Sequence, residues 1–96
     1  MKVVTTRVNE DIFENIKYLM KAERVEQGEL VRRLLGRAVM EEKLKLALEQ
    51  LKTHKVSLRK AAELAGVSYV EMFDAASEAD VDSGYSVEDV KSFETR

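Results

Sequence analysis

Lys2-Val-Val-Thr-Thr-Arg-Val8, running into Asn9-Glu-Asp11, is the stretch on which the fold turns. Val4, Thr6 and Val8 fall on one side and Val3, Thr5 and Arg7 on the other, the period of a strand with one covered face. Asn9 suits an N-cap, and Glu10 and Asp11 place negative charge at the positive end of a helix beginning near residue 10. Ile12, Phe13, Ile16, Leu19 and Met20 then recur at helical spacing as a buried stripe, with Glu14, Lys17, Lys21 and Glu23 on the outer face. After Arg24-Val-Glu-Gln-Gly28 the period resumes at Leu30, Val31, Leu34, Leu35, Ala38 and Val39, so a second helix is expected to start near Gln27. A single short strand has no sheet to join in its own chain and is marginal in water. It is therefore expected to pair antiparallel with that of a second copy, giving a homodimer whose core is Val4, Thr6, Val8, Ile12, Ile16, Leu19, Leu30, Val31, Leu34 and Leu35.

With strand, helix, turn and helix laid out, residues 2–39 resemble the Arc/MetJ/CopG ribbon-helix-helix DNA-binding superfamily. The similarity lies in Thr5-Thr-Arg-Val-Asn-Glu-Asp11, an alternating strand ending in an arginine and a hydrophobe before the helix cap, and in Val25 through Leu35. The resemblance implies an intermolecular two-stranded ribbon that enters the DNA major groove. By position Val3, Thr5 and Arg7 would face the bases: Arg7 toward guanine O6 and N7, Thr5 as donor or acceptor, Val3 against a thymine methyl. Lys2, Gln27 and Gly28 would meet phosphates, the latter two at the second helix N-terminus. The chain departs from the family pattern at Glu26, where a serine or threonine is usual, and at Gly28, which replaces a commoner polar residue.

The formal net charge of −2 conceals a division. Residues 1–60 carry fourteen Lys and Arg against nine Asp and Glu, whereas residues 61–96 carry two against nine. A basic half facing phosphate and an acidic half facing a basic protein is one explanation, and ordinary solvated faces are the other.

Ninety-six residues make one or two very small units, a modest core for a monomer and an adequate one for an intertwined dimer. With no cysteine, a disulfide framework and a thiolate metal site are both excluded, and a reducing compartment is expected. No apolar run approaches membrane-spanning length, and Met1-Lys-Val-Val-Thr5 lacks the apolar core of a signal peptide, so a cytoplasmic location without membrane attachment is expected. Proline is absent, and only Gly36 weakens the stretch from Gln27 to about Thr53. Glu41 to Lys52, with Leu44, Ala47, Leu48 and Leu51 as its stripe, reads either as a continuation of the second helix or as a separate helix after a bend. The division expected is a DNA-binding and dimerisation domain at 1–40 and a helical extension at 41–96.

Within that extension, residues 55–79 form a helix-turn-helix-like unit. Ser57 and Ser68 are N-cap candidates, Ser68-Tyr-Val-Glu71 has capping-box spacing, and Ala62 precedes Gly66 by four residues as in a helix-turn-helix. Its second helix carries Glu71, Asp74 and Glu78 and no Lys or Arg, so it would repel a phosphate backbone and reads as a packing or protein-binding unit. Asp80-Val-Asp-Ser-Gly-Tyr85 reads as an extended link in an acidic tail, 80–96, and Ser86-Val-Glu-Asp89 has capping spacing before Val90 and Phe93. Residues 44–94, and in particular Lys55 to Tyr69 and Gly84 to Val90, resemble a widespread family of small prokaryotic antitoxin-like (VapB-like) helix-turn-helix proteins. Genes for such proteins commonly lie beside a PIN-like nuclease toxin. The resemblance implies an acidic region that grips this toxin through Tyr69, Phe73, Tyr85, Val87, Val90 and Phe93; the plainer reading is that these side chains complete a small core.

The expected fold is thus mainly α, a ribbon-helix-helix homodimer with a C-terminal helical extension. The expected function is a sequence-specific regulator that binds operator DNA, represses its own operon and neutralises a toxin. An architectural or scaffolding dimer without a specific site is the alternative. An enzyme is not expected, nor a cofactor or metal: His54 is the sole histidine, His54 and Ser57 together are more readily chance than a nucleophile pair, and the four glycines form no phosphate loop.

Overall fold

A computed structural model describes residues 1–85, 88 and 90. Among the described residues four helices follow one another: α1 (Glu10–Glu23), α2 (Gln27–Lys52), α3 (Leu58–Ala65) and α4 (Tyr69–Glu78). No strand occurs among the described residues. Residues 1–9 carry no regular secondary structure and all nine are exposed. The expected ribbon-helix-helix architecture is therefore not what the structure contains, and only the mainly helical part of that expectation corresponds loosely to it. The physical reason is that period-two alternation expresses a side-chain preference, whereas a strand also requires a neighbouring backbone to bond. No such neighbour occurs among the described residues, and residues 1–9 remain exposed.

The helix starts follow local chemistry. The Asn9 side chain accepts a hydrogen bond from the Ile12 N–H at 2.9 Å, and Ser57 accepts one from the Lys60 N–H at 3.1 Å. At α4 the box is reciprocal, the Glu71 N–H donating to Ser68 Oγ at 3.1 Å and the Ser68 N–H to the Glu71 carboxylate at 3.3 Å.

All four helix ends share one geometry. Arg24, His54, Gly66 and Asp80 adopt positive φ of 56°, 59°, 73° and 58°. The next N–H in each case reaches back five residues to a helix carbonyl: Val25 to Met20, Lys55 to Gln50, Val67 to Ala62 and Val81 to Ala76. This is the wide-looped Schellman closure, which satisfies a carbonyl that the helix end would orphan. Three of the four use a residue with a Cβ, for which the left-handed region costs about 1–2 kcal/mol. Val25, Val67 and Val81 then turn inward and are half-buried.

Helix α2 is unbroken across Gly36, which settles the two readings of Glu41 to Lys52 as one continuous helix. The chain forms two compact units, Met1–Arg37 and Ala38–Arg96, where the sequence reading divided it between residues 40 and 41. Unit 2 has a single core of Ala47, Leu51, Leu58, Ala61, Ala62, Ala65, Met72, Phe73, Ala76 and Val90, flanked by Leu44, Leu48, Val56, Val67, Tyr69, Val70 and Val81. Its small residues let α3 and α4 approach closely, Ala61 and Ala65 being fully buried. In unit 1 Leu30 alone is buried, with Ile16, Leu19, Met20, Val25, Val31 and Leu34 half-buried around it. Arg33 Nη2 ties α2 to the end of α1, 2.8 and 2.9 Å from the two carboxylate oxygens of Glu23. No helix among the described residues is long and apolar enough to cross a membrane.

Candidate nucleic-acid interface

Unit 1 presents a hollow of about 460 Å³ lined by Met1, Lys2, Val3, Val4, Gln27, Gly28, Val31, Arg32 and Leu35. It places the start of α2, whose first N–H groups have no intrahelical acceptor, beside the N-terminal segment. Two cations reach it. Lys2 comes from the segment, and Arg32 lies one helical turn after Gly28, its guanidinium folded over the glycine so that a Cβ there would sit 3.1 Å from Arg32 Nη1. A side chain at position 28 would require this guanidinium to shift by a few tenths of an ångström. Such a hollow, with helix N–H groups and two cations, has the chemistry of a phosphate contact.

The structure therefore brings together Lys2, Gln27 and Gly28 with Val3, whereas Thr5 and Arg7 lie further along the segment, exposed and outside the hollow. Thr6 Oγ1 makes only a 3.5 Å contact with the Arg7 carbonyl. Arg32 escaped the sequence reading; its signal was its position four residues after Gly28 on a helix face. Glu26 stands immediately before α2, exposed, with its carbonyl accepting from the Leu30 N–H.

Of the ten side chains expected to form a dimer core, five are exposed in the single chain. Val4, Val8, Ile12 and Leu35 are 82%, 45%, 47% and 52% exposed, and Thr6 is exposed too. Ile16, Leu19, Val31 and Leu34 are half-buried, and Leu30 is buried. Phe13, 43% exposed, holds Lys17 Nζ 5.4 Å from its ring centre.

In unit 2 the residues expected to meet a protein partner divide. Phe73 and Val90 belong to the core, while Val87 and Phe93 lie outside the described residues. Tyr69 and Tyr85 meet edge to face with ring centres 6.4 Å apart, and the Arg59 guanidinium stands 5.7 Å from the Tyr69 ring. Tyr85 borders a cleft of about 540 Å³ with His54, Lys55, Ser57, Asp82 and Ser83. His54 and Ser57 do share this cleft, but Ser57 Oγ is engaged in capping α3. No cluster of three or more His, Cys, Asp or Glu side chains suited to a metal ion occurs among the described residues.

Comparison with protein families, curated proteins and solved structures finds no match. The resemblances of residues 2–39 to the ribbon-helix-helix superfamily and of residues 44–94 to an antitoxin-like family are thus unsupported, the first being contradicted in addition by the missing strand. What remains for function is the hollow at the start of α2, the exposed apolar side chains of unit 1 and the division of charge along the chain.

Proposed function

We propose that this chain is a sequence-specific DNA-binding regulator that works as a homodimer in the cytoplasm. The observation that carries the reading is the convergence of Lys2, Arg32 and the N-terminal amides of α2 on one exposed hollow. There a phosphate would be held by two cations and a helix N-terminus, while Val3, Thr5 and Arg7 on the adjoining segment would be offered to base edges. Dimerisation is supported by the exposed Val4, Val8, Ile12, Phe13 and Leu35, more apolar surface than a unit with one fully buried side chain can cover itself. Two copies would double the phosphate contacts and give the site a two-fold repeat.

The acidic surplus of residues 61–96 supports a second task, that of holding a basic protein. The chain would then be the antitoxin of a pair, repressing its own operon and neutralising a PIN-like nuclease toxin. It would act by binding alone, without enzymatic activity or a cofactor.

The test is anisotropy titration of labelled duplexes, the DNA upstream of the gene against a scrambled one, at several salt concentrations. The upstream duplex is expected to bind at least a hundredfold more tightly. Arg32→Ala is expected to weaken both duplexes alike and lower the salt slope by about one. Equal affinity for the two duplexes would contradict sequence-specific recognition and favour an architectural role.

A further inference from the structure

Unit 2 has an open groove of about 370 Å³ between α2 and the residues that follow α4. It is lined by Leu44 and Leu48, with Ala79 and Val81 opposite, and by Glu41, Lys45, Glu49 and Lys52 along α2. Leu44, Leu48 and Val81 pack against the core from this side. The four charges alternate in sign at helical spacing, where neighbours normally pair along the helix. None of them has an ion-pair partner among the described residues.

The order of these residues is self-complementary when reversed. Let a second α2 lie antiparallel in the groove, related by a two-fold axis level with the midpoint between Leu46 and Ala47. Glu41 then stands level with Lys52 of the second copy, and Lys45 with Glu49, displaced by one residue. At 100° per residue, Lys45 and Glu49 lie toward one edge of the contact face and Leu44 and Leu48 toward the other. The two-fold operation keeps each edge on its own side, so leucines meet leucines and opposite charges meet. A parallel two-fold would instead set Glu41 beside Glu41 and bring the Lys45–Glu49 edge of each copy against the leucine edge of the other.

We propose that this groove is a self-association surface, occupied by α2 of a second copy in antiparallel orientation. It is distinct from the exposed apolar side chains of unit 1 and does not rest on the DNA-binding reading. The interface is isologous, the same patch serving on both copies, with leucines along one edge, the Lys45–Glu49 pairs along the other and the Glu41–Lys52 pairs between them at either end. Where unit 1 pairs as well, the groove joins dimers to dimers.

Sedimentation equilibrium of the full chain carrying Ile12→Asp isolates this surface, because the aspartate removes the apolar contact of unit 1. That chain is expected to dimerise still. Adding Lys45→Glu replaces both Lys45–Glu49 pairs by carboxylates facing each other, and Glu49→Lys replaces them by ammonium groups. Either is expected to weaken self-association by about tenfold or more. An equimolar mixture of the two variants sets a carboxylate against an ammonium group at both pairs again and is expected to recover the original affinity as a heterodimer. A monomeric Ile12→Asp chain, reversals without effect, or a mixture no stronger than its components would each overturn the proposal. Failure of unit 1 to associate would appear separately, as an Ile12→Asp substitution that changes nothing.

Discussion

Unit 2 gathers ten side chains into one buried cluster, whereas unit 1, with α1 and the first part of α2, fully buries only Leu30. Each unit has a helix start capped by a side chain, Asn9 in unit 1 and Ser57 and Ser68 in unit 2, so capping alone does not distinguish them. The difference lies in where the apolar side chains find neighbours. In unit 2, α3 and α4 are short and rich in alanine, and they pack closely enough to close around Met72 and Leu58. In unit 1, α1 buries none of its side chains and leaves Ile12 and Phe13 nearly half exposed. Helix formation and core formation are thus separable: caps decide where a helix begins, while tertiary burial decides whether it persists alone.

The largest expected effects test that contrast directly. Leu58→Ala and Met72→Ala remove fully buried side chains from a closed core and are expected to lower stability by about 2–5 kcal/mol, measured by urea unfolding. Ile12→Ala is expected to cost under about 0.5 kcal/mol at low protein concentration, as an exposed substitution does. Its cost should grow as concentration rises and association buries the side chain. A large cost at all concentrations would mean that unit 1 already closes within one chain.

Next in size are effects on binding. Arg7→Ala is expected to cost about 1–3 kcal/mol in DNA affinity and relax the base preference, read by titrating duplexes of different sequence. An unchanged preference would move base recognition away from the N-terminal segment. Glu26→Ser is expected to tighten binding to every duplex, since it removes a carboxylate before α2 and supplies a capping hydroxyl.

Smaller still are changes to the helices themselves. Ser68→Ala breaks the capping box in unit 2 and is expected to cost about 1 kcal/mol by urea unfolding. Gly36→Ala is expected to stabilise by up to about 1 kcal/mol, because Gly36 is helical and a Cβ there meets nothing within 4 Å. Asp80→Gly relieves a left-handed residue but frees the unfolded chain, leaving an expected gain of about 0.5 kcal/mol. A loss of stability in the last variant would show that the Asp80 side chain contributes more than its backbone strain costs.

These particulars also mark what was legible in the sequence. Asn9, Ser57 and the Ser68–Glu71 pair could be read as helix starts because a cap is a bond between residues three apart. The left-handed closures at Arg24, His54 and Asp80 could not, since these residue types enter positive φ far less often than a glycine such as Gly66. The strand at residues 2–8 was misread because alternation is local and a ladder is not. Arg32 was missed because its place in the hollow depends on the N-terminal segment coming alongside α2, a long-range arrangement. Phe73 and Val90 illustrate the remaining difficulty: an aromatic or aliphatic side chain offered to a partner and one that closes a core have the same signature until the fold is known.

Hydrogen exchange on the full chain at two protein concentrations addresses the contrast between the units most directly. Amides of α3 and α4 are expected to be equally protected at both, because their core is complete within one chain. Amides of α1 are expected to exchange quickly at low concentration and to gain protection as concentration rises. Protection of α1 that equals that of α3 and α4 and does not change with concentration would contradict an N-terminal unit completed by association.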